Sequence, residues 1–85
     1  MRILHYINSL KAGNLLSDYI LQLTSEQKEY AEVKTLTSTD DFQKVAEKEN
    51  PDIIHIHACW DYLAAKRAQW AVKKGYAVVL STHWG

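Results

Sequence analysis

The residues with the most chemical potential in this chain cluster in three short stretches. Ile53-Ile54-His55-Ile56-His57 is followed at once by Cys59, Trp60 and Asp61. Asn8 and Ser9 precede the segment Lys11-Ala12-Gly13-Asn14, and Ser81, Thr82, His83 and Trp84 stand near the carboxyl end of the sequence. Histidine can orient a substrate, move a proton or ligate a metal. Aromatic faces stack on sugar or base rings while short polar groups fix orientation. His55, His57 and Cys59 would be suitable zinc ligands if their strand ran on straight. A zinc site needs a third or fourth ligand at a fixed spacing, however, and His5 or His83 would have to come from other strands. No metal is therefore expected. Cys59 lacks the nucleophile–base–orienter pattern that would mark it as catalytic.

Each of these residues also has a structural reading. His55 and His57 share one face of an extended strand, because side chains alternate with period two. His55 lies farther from the strand end and reads as a hydrogen-bonded core residue. His57, nearer the strand end, divides between site and structure. Gly13 is either a tight-turn residue or a point of close backbone approach to an anion.

The elements that must position these groups are legible in the apolar pattern. Residues 3–7 form a nearly continuous apolar run, as in a strand covered on both faces. Asn14 can cap a helix whose Leu16, Tyr19, Ile20 and Leu23 recur at helical spacing, with Ser17, Asp18, Gln22 and Ser25 opposite. Residues 31–36 alternate, but Glu32 and Lys34 place them at a sheet edge. Ser38-Thr39-Asp40-Asp41 supplies cap candidates for a second helix with Phe42, Val45, Ala46 and Glu49 on one side, ended by Asn50-Pro51. Residues 53–57 are a strand. A helix over 61–74 turns Ala64, Ala68, Ala71 and Val72 inward and stops at Gly75. Residues 76–82 are the last strand.

The order βαβαβαβ demands crossover connections and hence a parallel sheet. The fold expected is α/β, a four-stranded parallel Rossmann-like half-domain spanning residues 1–85 as a single domain. The most apolar strands, 3–7 and 53–57, should be central neighbours, giving order 2-1-3-4 with the ligand crevice between strands one and three. Order 3-2-1-4 would bury Glu32 and Lys34.

Composition bounds the partners. The 85 residues carry ten basic and ten acidic side chains, for zero formal net charge, which argues against nucleic acid. Lys66, Arg67, Lys73 and Lys74 read as the solvated face of a helix. One cysteine cannot form an internal disulfide, which suits a cytoplasmic location. No apolar run approaches the ~18–20 residues of a membrane span, and no signal-peptide pattern opens the chain. A chain of this length buries only roughly 60–65% of its unfolded surface. Strand 76–82 carries no charge or proline to protect an exposed edge. A homodimer through that strand is therefore expected.

Three stretches taken together resemble the start of family-4 glycosyltransferases of the GT-B fold. They are Met1-Arg2-Ile3-Leu4-His5-Tyr6-Ile7-Asn8-Ser9-Leu10 with Gly13 and its helix, Pro51-Asp52-Ile53-Ile54-His55-Ile56-His57 with Trp60, and Val78-Val79-Leu80-Ser81-Thr82-His83-Trp84-Gly85. The second is similar to the family's PDIVHIH strand, the third to its VVxSTHG strand. The resemblance implies the acceptor-side part of an enzyme that moves a sugar from a nucleotide-sugar to a glycan or lipid acceptor. Two Rossmann-like domains of such enzymes face across a cleft, and the second holds the donor with a Glu-x7-Glu type motif.

By that resemblance His57 is the catalytic-site histidine near the transferred sugar, assigned to orientation and hydrogen bonding. Asn8, Gly13, Trp60, Thr82 and His83 are candidate substrate-binding residues. Ala12 stands where many members have a first glycine, and Trp84 intrudes before Gly85; both depart from the family pattern. No cofactor is expected, and the chain alone is expected to transfer no sugar. The alternative is a stand-alone α/β binding or interaction module without catalysis. A response-regulator reading fails, because no acidic cluster sits at the strand ends to hold Mg²⁺.

Overall fold

The computed structural model describes residues 1–10, 14–58 and 61–82. The elements alternate along the chain as β1 (Arg2–Tyr6), α1 (Leu15–Gln27), β2 (Glu32–Leu36), α2 (Phe42–Glu49), β3 (Ile53–His57), α3 (Tyr62–Lys73) and β4 (Val78–Ser81). The four strands form one parallel sheet in the order β2-β1-β3-β4. This is the α/β arrangement of a Rossmann-like half-domain, with strand order reversing between β1 and β3. The charged strand β2 lies at an edge, as Glu32 and Lys34 require.

Side-chain alternation sorts each central strand into two unlike faces. Leu4, Tyr6, Ile54 and Ile56 project to one side and build the apolar core with Leu36, Phe42, Ala46, Ala64, Ala68 and Ala71. Helices α2 and α3 cover this side. Phe42 meets Tyr6 and Trp70 edge-on, at centroid distances of 5.5 and 5.8 Å. Small alanines on α3 let its axis approach the sheet.

His5, His55 and His57 project to the other side, where α1 packs and its last residue, Gln27, bonds His5. On α1, Ile20 is buried and Leu16 and Leu23 are half-buried as the apolar spacing predicts, but Ser17 and Thr24 join them inside and Tyr19 does not. A helix facing imidazoles turns hydroxyl and amide groups inward where the apolar spacing alone points elsewhere. Val72 of α3 is likewise exposed.

Caps end the helices where the sequence suggests. The side chains of Asn14, Asp41 and Asp61 accept backbone N–H bonds at the starts of α1, α2 and α3. Asn50 closes α2 in the left-handed conformation, and Gly75 follows α3 at φ +92°. Arg67 does not share the solvated face of Lys66. Its guanidinium lies 5.1 Å from the Tyr6 ring centre and 5.3 Å from that of Phe42. The cation thus sits over the faces of two buried rings. Among the described residues, no helix is long and apolar enough to cross a membrane.

Candidate functional site

Register creates the site. His5 of β1 stands directly opposite His55 of β3, so the two strands flanking the order reversal both present imidazole to the α1 face. His57 adds a third ring two residues on. The His55 and His57 rings stack at 4.0 Å, and His5 lies 5.1 Å from each. One ring nitrogen from each of the three lies within 4.8 Å of the others.

The hydrogen bonds hold the rings in a directed chain. Gln27 Oε1 accepts from His5 Nε2–H at 2.6 Å. A neutral His5 then has its lone pair on Nδ1, which accepts from Nε2–H of His57 at 2.8 Å. His55 Nε2 pairs with Ser81 Oγ of β4 at 2.6 Å. Burial pushes the His5 pKa below the ordinary imidazole value, and the bond to Gln27 pulls the other way. A cation here would lose hydration that one amide oxygen cannot replace.

Depth along a strand is not the same as burial. His57, closer to the carboxyl end, is fully buried, while His55 is partly open. On this face α1 packs toward β2, and the β3–β4 side stays less covered, with Val79 44% exposed. The sequence ordering of the two histidines is therefore reversed in the fold. The hydrogen-bonded character expected of His55 is present.

Asn8 lies past the end of β1 in a second network. Tyr6 O–H donates to its Oδ1 at 2.6 Å. The Asn8 side chain in turn bonds the Asp61 carboxylate and is the main cause of that group's lowered pKa. Asp61 Oδ1 also accepts from the Leu63 and Ala64 N–H groups at 3.0 and 3.3 Å. Asn8 thus ties the end of β1 to the start of α3. Thr82 is exposed one residue beyond β4. Gly13, Trp60 and His83, with Cys59 and Trp84, lie outside the described residues.

Of the sequence candidates, then, the fold places His57 with His55 and sets Asn8 in a separate network with Asp61. It adds Gln27, which the sequence did not single out, and joins to it the strand-end candidate Ser81 and His5, weighed from the sequence only as a zinc ligand from another strand. The available signal was histidine at alternating positions of the two strands expected to be central. A groove of about 190 Å³ lies at the opposite, amino end of the sheet, lined by Arg2, Glu32, Lys34 and Glu49 among others. It is crossed by the ion pairs Arg2–Glu32 and Lys34–Glu49, at 2.9 and 3.2 Å.

No protein-family model, curated protein or solved structure matches the chain.

Proposed function

We propose that this chain is the acceptor-side, N-terminal part of a GT-B type glycosyltransferase that takes sugar from a nucleotide-sugar donor to a glycan or lipid acceptor in the cytoplasm. The observation that supports it best is positional. The strand that resembles the family's histidine motif is β3, its neighbour is β1, and the two flank the order reversal where open α/β sheets bind ligands. Asn8 and His57 stand at the carboxyl ends of those neighbours.

In this reading a sugar at the rim meets Asn8 and Thr82, with Gly13, Trp60 and His83 on the adjoining segments. His57 orients the site from beneath, since its ring is buried against His5. The donor half of the cleft belongs to a second domain, so the 85-residue chain transfers nothing and holds nucleotide-sugars weakly at best.

Chemical-shift mapping of labelled protein in chelator, titrated with UDP- and GDP-sugars and with free oligosaccharides, tests the reading. Millimolar binding that shifts Asn8, His57 and Thr82 supports it. Perturbations confined to other surfaces overturn it. Micromolar nucleotide-sugar affinity that is lost in His57→Ala makes the chain a self-sufficient binding module instead.

The exposed edge supports a further part of the same reading, a homodimer. β4 ends the sheet order, Val79 and Leu80 are exposed, and residues 77–82 contain no charge or proline. A two-fold axis beside β4 pairs it antiparallel with its own copy. Light scattering should give twice the 9.8 kDa chain mass, and Val79→Lys should abolish the pairing. A soluble monomer of the unaltered chain at millimolar concentration overturns this part alone.

A further inference from the structure

We propose that His5, His55 and His57 form a binding site for a divalent transition metal of the zinc type, at the centre of the sheet. The proposal goes beyond the glycosyltransferase reading and does not depend on it. It starts from the convergence of three imidazoles whose ligand nitrogens lie within 4.8 Å of one another. Tetrahedral zinc at ~2.0–2.1 Å from nitrogen separates its ligands by about 3.4 Å. The widest pair therefore has to close by at most ~1.4 Å, and the 2.8 Å His5–His57 contact has to open by roughly half an ångström. Side-chain rotation has to supply both, and it must also unstack His55 from His57 so that each ring turns its in-plane lone pair toward the ion.

The surroundings are those of an oriented ligand set. A metal-binding histidine commonly has its other ring nitrogen hydrogen-bonded, which fixes tautomer and aim. Gln27 does this for His5, holding Nε2–H so that the Nδ1 lone pair points into the cluster. Ser81 holds the His55 ring from β4. Binding requires His57 to move its proton from Nε2 to Nδ1, a tautomer change that leaves the ring neutral. The three neutral nitrogens found among the described residues suit zinc, copper, nickel or cobalt, whereas Mg²⁺ and Ca²⁺ prefer oxygen. His5 and His57 are buried, so the ion enters beside the partly open His55 and takes water in the remaining position.

The test is titration of untagged, chelator-stripped protein with Zn²⁺ alone by calorimetry, and with Co²⁺ followed by visible absorption. One ion per chain at micromolar or tighter affinity, with a tetrahedral Co²⁺ spectrum, is expected. His55→Ala removes a partly exposed ligand and should weaken binding at least thirtyfold while circular dichroism stays native. Gln27→Ala leaves all three ligands in place and should weaken it about tenfold. Mg²⁺ and Ca²⁺ should not compete. No stoichiometric binding, binding unchanged in His55→Ala, or a thiolate charge-transfer band abolished by Cys59→Ser would each overturn the proposal. So would binding lost in His83→Asn but kept in His55→Ala.

Discussion

The two faces of the sheet are built on different principles although the same strands supply both. On the α2–α3 face, Leu4, Tyr6, Ile54 and Ile56 pack with Phe42 and three α3 alanines, and the Arg67 guanidinium lies over Tyr6 and Phe42. Apolar burial of roughly 25 cal/mol per Å² carries most of the stabilisation there, and directed bonds such as Tyr6 O–H to Asn8 lie at its margin. On the α1 face the same two strands present His5, His55 and His57, and the covering helix turns Ser17, Thr24 and Gln27 inward, of which Gln27 bonds His5 and Thr24 bonds back to the Leu21 carbonyl. Each bond there adds only about 1 kcal/mol net, but an unmet buried group costs more. One face is apolar, and the other is a hydrogen-bonded polar layer.

Breaking the apolar face should have the largest effect. Phe42 is fully buried, contacts Tyr6 and Trp70 edge-on, and lies beneath the Arg67 guanidinium. Phe42→Ala should cost about 3–5 kcal/mol, a large share of what so short a chain can have. Urea unfolding measures it. A loss below about 1 kcal/mol would mean that the aromatic cluster collapses around the gap and does not carry this face.

This division also explains what could be read from the sequence. Strand order followed from charge, because Glu32 and Lys34 cannot sit in a sheet interior, and helix ends followed from Asn14 and Gly75, while the structure chose Asp41 from the cluster 38–41 and made Asp61 a cap. The α1 face was harder. Residues 3–7 read as a uniform apolar run, so His5 passed as one polar residue in a buried strand. Only the register that sets it opposite His55 makes a cluster of the three. Ser17 looked solvent-facing because helical periodicity counts apolar residues and does not know that imidazoles lie beneath. Pairing information of that kind is long-range and leaves no local trace.

The polar face should respond next, and more specifically. Gln27→Leu keeps the volume but leaves His5 Nε2–H without its acceptor in a buried setting, which should cost about 1–3 kcal/mol. Acid attacks the same ring. His5 has a folded pKa below the ordinary 6.5, mainly through burial, so the unfolded chain binds the proton more readily. Stability of chelator-stripped protein should therefore fall as pH drops from 6.5 toward the lowered folded value, and level off below it. Phe42→Ala should shift that whole curve downward without changing its shape. A stability profile flat between neutrality and the carboxylate range would contradict the burial of His5 as a neutral ring.

The smallest effect should come from the rim, where the two faces join. Asp61 caps α3 and is bonded by Asn8, which itself accepts from Tyr6 of the apolar face. Its carboxyl pKa is lowered, first by the Asn8 bond, so its contribution is present above the ordinary value of 3.8 and is lost as pH falls through the lower folded one. Asp61 is half-buried at the rim, and its cap on α3 is what a substitution removes. Asp61→Ala should cost about 1 kcal/mol, whereas Asp61→Asn keeps an oxygen for the Leu63 and Ala64 N–H groups and should cost only a few tenths. Asn8→Ala separates the tie from the cap. It leaves both N–H bonds to Asp61 intact, so α3 should keep its amide protection against hydrogen exchange while the Asp61 pKa moves back toward its ordinary value. If Asn8→Ala instead loosens the first turn of α3 as much as Asp61→Ala does, the end of β1 and the start of α3 form one unit.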